Sequence, residues 1–417
     1  MKNKEVSVLE DYCLESGIYG IPAAAENFDE NKYRYLRITD ITDDGVLIIT
    51  DAKSISDKDA DKYLLSENDI VFARTGNSTG RTYFYDKRDG ELVFAGFLIR
   101  YKLDADKINP KYLKYFTISK QYKHWVDNFS TGSTRGNMSA QDFAKMPLIL
   151  PKRNQQDLLV KVMDALTDKI SLNNRINTEL EQMAKTIYDY WFVQFDFPDE
   201  EGKPYKTSGG EMEWNEELKR EIPVGWEVKR LESIANTASG GTPLSTKTEY
   251  YLNGNIPWIN SGELNNPFIV NTTNFITEKG FENSSAKLFP TGTILMAMYG
   301  ATAGKVSVLN ISASTNQAIC AIIVKQEEYR NYLKFLLNDL YAYLVTLSSG
   351  SARDNLSQEK IRELFVTIPT PKLLDEFNKI TIPIFDKIVL TLRETQELIT
   401  LRDFLLPLLM NGQVKVK

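Results

Sequence analysis

The sequence predicts a mixed α/β fold written twice: a pseudo-twofold internal repeat of two globular domains separated by two long helices that pair as an antiparallel coiled coil. Three observations predict it. Segments of the first half recur in the second half, in the same order and at nearly constant offset. Apolar residues at alternating steps of three and four run through two long segments. Short β-branched and aromatic runs, broken by Gly, Asn and Ser turns, fill the stretch before each segment.

The repeat begins loosely, with Leu36-Arg37-Ile38-Thr39-Asp40-Ile41 against Ile259-Asn260-Ser261-Gly262-Glu263-Leu264. It sharpens where Asp69 to Gly76, followed by Gly80-Arg81, meets Thr293 to Gly300, followed by Gly304-Lys305. Ser130 to Ser139 then matches Ser348 to Ser357, and Asp168-Lys169-Ile170 matches Asp386-Lys387-Ile388. The boundaries that follow are a first globular domain at 1–151, a helix at 152–193, a polar and acidic linker at 194–225, a second globular domain at 226–370 and a second helix at 371–411. Within the globules, strands are expected at Val46 to Thr50, Asp69 to Ala73 and Thr293 to Met298, and short helices at Pro110 to Ser119 and Glu327 to Thr346.

The first seam reads Leu159, Met163, Leu166, Ile170, Asn173, Asn177, Leu180, Ala184, Ile187 and Trp191. The second reads Phe377, Thr381, Ile384, Ile388, Thr391, Thr395, Leu398, Arg402, Leu405 and Leu409, with Arg402 on the seam and Pro383 interrupting it. Both are polar in the middle, at Asn173 and Asn177 and at Thr391 and Thr395. Two copies of one unit can pair their helices antiparallel, so that the polar middles meet and fix register at some cost in stability. The alternative is that each face turns to solvent at mid-helix, which leaves Leu180 and Trp191 without a partner.

A chain of 417 residues with 42% hydrophobic and 25% charged content has room for two or three soluble domains. No apolar run is long enough to span a membrane, and Met1-Lys2-Asn3-Lys4-Glu5 lacks the apolar core of a signal peptide. Cys13 and Cys320 lie outside any paired spacing, so no disulfide framework is expected and the cytoplasm is the expected compartment. The net charge of −6 is a weak objection to nucleic-acid binding. Phosphate attraction depends on where cations sit, and acids cluster apart from the repeated loops, at Asp196 to Glu201 and Glu211 to Glu221.

Catalytic patterns fail in turn. His124, the single histidine, has no nucleophile signature near it. No Cys/His cluster has zinc-ligand spacing. Gly300 to Lys305 is one residue short of a phosphate-binding loop and carries Val306 where a Ser or Thr is needed; its twin at Gly76 to Arg81 has the same short spacing. Asn265-Asn266-Pro267-Phe268 lacks the second proline of an amino-methyltransferase tetrapeptide. The acids of Pro198 to Lys203 are crowded into one linker.

The repeated loops have a positive reading as double-stranded DNA contacts. One set offers Arg74, Thr75, Asn77, Thr79 and Arg81, and its twin Tyr299, Thr302 and Lys305. The second offers Thr134, Arg135 and Asn137, and its twin Ser351, Arg353 and Asn355. Arg37, Asn260 and Ser261 join them from the loosely matched pair. Arg pairs two-pronged with guanine and Asn with adenine, while Ser, Thr and Lys hold phosphates. The plainer reading is that Gly, Ser and Asn build turns, with Asn137 and Asn355 capping the helices that follow.

Trp191-Phe192-Val193-Gln194-Phe195-Asp196, followed by Ile222-Pro223-Val224-Gly225-Trp226, resembles the central region of specificity subunits of type I restriction–modification complexes. Ser239-Gly240-Gly241-Thr242-Pro243, Ile256-Pro257-Trp258-Ile259 and Leu405-Leu406-Pro407-Leu408-Leu409-Met410-Asn411-Gly412 are similarly typical. The resemblance covers nearly the whole chain. It implies two target-recognition domains, one per half of a split DNA site, with the family's two conserved helices as a ruler. It also implies two methyltransferase subunits docked on the helices, with two motor-nuclease subunits in the full complex. S-adenosylmethionine, ATP and magnesium would sit on those partners; no cofactor or metal is expected on this non-catalytic chain. The first half departs from the pattern, with Tyr33-Arg34-Tyr35-Leu36 in place of the Ile-Pro-Trp string, so the heads have diverged. Two other classes stay open: a coiled-coil scaffold that binds no DNA, and a self-contained DNA-modifying enzyme.

Overall fold

A strand buried at every position must be covered on both faces, and each half of the chain builds its head around one such strand. The computed structural model describes residues 7–130, 137–299, 302–348 and 357–414. Two units emerge, Met1–Ile170 with Glu397–Lys417, and Ser171–Gln396, each holding one head and part of both long helices. In the first unit, Asp69–Ala73 is buried at every position. It lies between Leu98–Lys102 and Thr82–Phe84, with Ile18–Tyr19 at the outer edge. A second sheet contains Arg34–Leu36 running parallel to Leu92–Phe94.

The second unit repeats this plan. Ile294–Ala297 is buried throughout, between Ile319–Val324 and Val306–Leu309, with Ala235–Ser239 at the edge. Ile256–Ile259 runs parallel to Ala313–Thr315. Even the loosest sequence match has a structural basis: after the parallel strand, Arg37 to Asp40 and Asn260 to Glu263 both close a short turn in which the acid accepts from the first residue's backbone N–H.

Some local expectations need correction. Val46 to Thr50 forms no strand; it makes only the isolated pairing of Leu47 with Ile41, while Val46 and Ile49 face solvent. Its β-branched residues therefore reflect composition without a partner strand to pair with. Asn137 does not cap the helix Ala140–Ala144. Ser139 does, accepting from Asp142 N–H, and Ser357 caps Gln358–Arg362 in the same way. The stretch 194–225 is not a bare linker either. It carries the antiparallel hairpin Met212–Asn215 with Arg220–Pro223, and it buries Phe195 and Ile222 in the second unit's core. There Phe197 stacks between Tyr205, at 4.6 Å, and Trp226, at 5.8 Å.

The long helices are Arg153–Tyr188, extended by a wider turn at Asp189–Val193, and Pro371–Met410. Pro383 does not end the second, which continues through it. Within the second unit, Asn173 Nδ2 donates to Glu394 at 2.9 Å, and further along Tyr188 and Phe192 meet Phe377. One helix ascends as the other descends, so the pair is antiparallel. Within the first unit, Leu405, Leu406 and Leu409 join Leu159, Val160, Met163 and Leu166 in one cluster. The polar seam residues are not turned to solvent: Asn173, Thr391 and Thr395 are buried and Asn177 is half-buried. Among the described residues, Asn177's amide and Thr395's hydroxyl find no hydrogen-bond partner. Arg402 is a buried tie to the first head, reaching Asp44 at 2.9 Å and Asp403 at 2.8 Å.

The second head meets the rods through the helix Arg330–Ser348, whose Lys334 is almost fully buried. Its Nζ lies 4.5 Å from the Phe335 ring centroid and 3.4 Å from Glu181 of the first long helix. Burial pushes the ammonium's pKa down, and Glu181 only partly opposes this. The unfolded chain therefore holds this proton more tightly, so the group's contribution to stability rises with pH between its folded and its ordinary pKa. Lys334→Met keeps the volume, removes the buried charge and leaves Glu181, which reaches solvent, able to hydrate. We expect a gain of about 1–2 kcal/mol at pH 7, narrowing as pH climbs toward 10. Urea unfolding of both proteins at several pH values measures it, and a loss at pH 7 would contradict this account.

Candidate nucleic-acid interface

The two sharply repeated loops close matching hairpins. In the first head, Ala73 N–H donates to Arg81 O and Gly80 N–H to Ala73 O; in the second, Ala297 N–H donates to Lys305 O and Gly304 N–H to Ala297 O. These bonds make the short glycine spacing a hairpin turn. One residue further, Arg74 N–H donates to Phe97 O, and Met298 N–H to Ala318 O. Edge strands complete the frame. A Cβ on Gly20 would lie 2.2 Å from Ala95 O, and one on Gly240 2.1 Å from Thr315 O. Only glycine lets the chain leaving the edge strand pass that close to the neighbouring backbone.

The first head brings its two predicted loops together. Thr75 Oγ1 donates to Asn137 Oδ1, Met138 N–H donates to Arg74 O, and Arg74 Nε reaches Met138 O at 3.4 Å. Asn77 lies exposed on the turn Gly76–Ser78, and Thr79 Oγ1 donates back to Gly76 O at 2.8 Å. Thr134 and Arg135 lie outside the described residues.

Charge divides the first head's arginines into two kinds. Arg37 is held by Asp40 at 2.6 Å and Asp51 at 3.2 Å, and the Asp40 carboxylate pushes the guanidinium's pKa above its ordinary value. Arg81 is held by Asp43 at 2.6 Å and by Ile41 O at 3.1 Å. Both are committed within the head. Among the described residues Arg74 has no carboxylate partner; its guanidinium lies 5.0 Å over the Tyr19 ring.

In the second head, Asn260 accepts from Gly262 N–H and so caps the short turn that contains Ser261. Tyr299 and Thr302 are half-buried, Tyr299 against the unit's core. Lys305 Nζ donates to Asn265 Oδ1 at the surface. Ser351, Arg353 and Asn355 lie outside the described residues. Asn173, Asn177, Thr391 and Thr395 belong to the helix pair and not to these loops. No pattern in the sequence marks Tyr19 or Phe97, because an aromatic in or beside a strand is indistinguishable from core until its exposure is known.

Other chemistry-bearing groups do not gather around the loops. His124 lies exposed on the helix Lys120–Ser130, with Asn128 at 3.0 Å. Burial pushes the thiols of Cys13 and Cys320 up to about 12, which keeps them protonated at neutral pH. One concavity of the first head is acidic, with Glu30, Asp51, Asp57, Asp89 and Glu91 against Lys32 and Arg34, and is unsuited to phosphates. No helix among the described residues is long and apolar enough to cross a membrane.

Comparison with known proteins agrees with the duplicated architecture. The family model for the type I restriction modification DNA specificity domain matches residues 1–182 and 223–401. The chain is 26% identical over 406 residues to the type I restriction enzyme HindI specificity subunit of Haemophilus influenzae, covering 85% of this chain and 88% of that protein. It is also 26% identical over 322 residues to the MjaIX specificity subunit of Methanocaldococcus jannaschii, covering 76% and 71%. The solved type I restriction–modification S subunit of M. genitalium shares the fold, with a TM-score of 0.56 at 16% identity, over 100% of this chain and 99% of that one.

Proposed function

The chain belongs to the type I restriction–modification DNA specificity family, and from that premise we propose that each head reads one half of a split double-stranded DNA site while the paired helices set the gap and dock two methyltransferase subunits. The observation that carries this reading is the twin frame: the same backbone bonds are built twice, and different side chains stand on them. A frame kept in both copies with altered loop chemistry is what two readers of different half-sites require. Chemistry in this reading belongs to the partners. The methyltransferase subunits hold S-adenosylmethionine, and two motor-nuclease subunits, where they join, hold ATP and magnesium. This chain supplies recognition and no catalytic group, in the cytoplasm with the DNA.

The test is binding of the chain, assembled with its methyltransferase partner, to duplexes with and without the target found by mapping methylated bases in cells with and without this gene. We expect a preference for the target on the order of 10³-fold or more, and affinity that falls steeply with salt. Binding insensitive to salt and sequence would favour the scaffold. Methylation or cleavage by the purified chain alone would favour the enzyme.

A further inference from the structure

Three segments converge on the first head's frame, and the second head differs from it at all three positions. Tyr19 is on the edge strand, Arg74 opens the first loop, and Phe97 ends the turn between Leu92–Phe94 and Leu98–Lys102. Arg74 N–H donates to Phe97 O at 3.0 Å, and its guanidinium lies over the Tyr19 ring. Tyr19 is itself fixed, its hydroxyl accepting from Ala140 N–H at 3.0 Å. Phe97 is 58% exposed, between the half-buried Gly96 and the fully buried Leu98. The matching bonds of the second head place Ser239, Met298 and Ala318 there, with Met298 and Ala318 each only 6% exposed.

We propose that Tyr19, Arg74 and Phe97 form a composite base-reading patch in which Arg74 takes the edge of a guanine and Phe97 packs on the methyl group of a neighbouring thymine, so that only one half-site carries this preference. The proposal rests on the reading of the heads as DNA readers and adds the base chemistry of one of them. A phosphate asks only for positive charge, which a mobile side chain supplies. A guanine edge asks for a planar fork in a set orientation, and the anchored Tyr19 ring beneath the guanidinium restricts how that fork can turn. Phe97 points to the same conclusion. An exposed phenyl ring gains nothing beside hydrated phosphates, whereas a thymine methyl in the major groove is an apolar partner. The committed Arg37 and Arg81 lack this freedom, having carboxylate partners.

The experiment selects bound sequences from a randomised duplex pool with the chain assembled with its methyltransferase partner. It compares the unaltered protein with Arg74→Lys, Arg74→Met and Phe97→Ala. Arg74→Lys keeps the charge but not the fork, and Arg74→Met installs the second head's residue. Both are expected to relax one guanine position in one half-site by on the order of 10- to 100-fold. Phe97→Ala is expected to relax an adjacent thymine position, and the other half-site stays unchanged throughout, which also reports that the complex is folded. A retained guanine preference in Arg74→Lys, with uniformly weaker binding only in Arg74→Met, would mean a phosphate contact and overturn the proposal. So would an unchanged profile in all three variants. If the unaltered complex itself selects no sequence, the failure lies in the DNA-reading premise.

Discussion

Phe377→Ala is expected to lower the stability of the second unit by about 3–5 kcal/mol, the range for emptying a well-packed aromatic site. Phe377 is completely buried near the start of the second long helix. Its ring meets Phe192 at 4.9 Å, Trp191 at 6.0 Å, and Tyr188 and Phe335 at 6.5 Å. These neighbours come from three sources: the end of the first helix, the turn beyond it, and the head's own helix Arg330–Ser348. The void would therefore open where rod and head are joined, and rigid rings on every side limit its collapse. The midpoint of urea unfolding, followed by tryptophan fluorescence, measures the loss. Phe377→Leu should recover more than half of it, because most of the volume returns. A loss under 1 kcal/mol would show that the cluster repacks freely and does not hold the junction.

The architecture was legible because duplication and heptad spacing are signals that side chains carry directly. Asp69 to Ala73 and Thr293 to Met298 announce buried strands by their apolar runs, and the structure pairs them alike. What sequence could not separate was a cation committed within the head from one left without a carboxylate. Arg37, Arg74 and Arg81 look equivalent as residue types, yet Asp40 and Asp43 neutralise two of them through contacts set by tertiary packing. Arg402 posed the reverse problem. On a seam it reads as a flaw, and only Asp44, 358 positions away along the chain, explains it. The stretch 194–225 misled through averaging: its many acids outweighed Phe195, Phe197, Tyr205 and Ile222, which build its packing. Nothing in the sequence marks the exposed aromatic, because Phe97 and the buried Phe94 are alike as residue types and differ only in which side of a turn they occupy.

Duplicating one heptad in each long helix is expected to widen the gap between the two recognised half-sites while leaving both half-sites unchanged. Repeating Asn173 to Glu179 and Thr391 to Glu397 inserts seven residues in each rod and preserves the steps of three and four on both seams. The antiparallel register found in the second unit, with Asn173 against Glu394, is also preserved, because both partners lengthen equally. Each insertion adds about 10 Å of helix at about 1.5 Å per residue. With base pairs stacked about 3.4 Å apart, the gap can grow by at most about three base pairs. Duplication is the better design than deletion because it keeps Asn173, Asn177, Thr391 and Thr395. Those buried polar groups make a slipped register costly, since slippage would bury other unpaired donors against apolar side chains. Lengthening only one helix should do worse than either, leaving seven residues without a facing seam and weakening the fold instead of resetting the gap. Methylated-base mapping in cells carrying each construction reads the outcome. A gap that stays fixed after paired duplication, with methylation intact, would mean that something other than rod length sets the spacing.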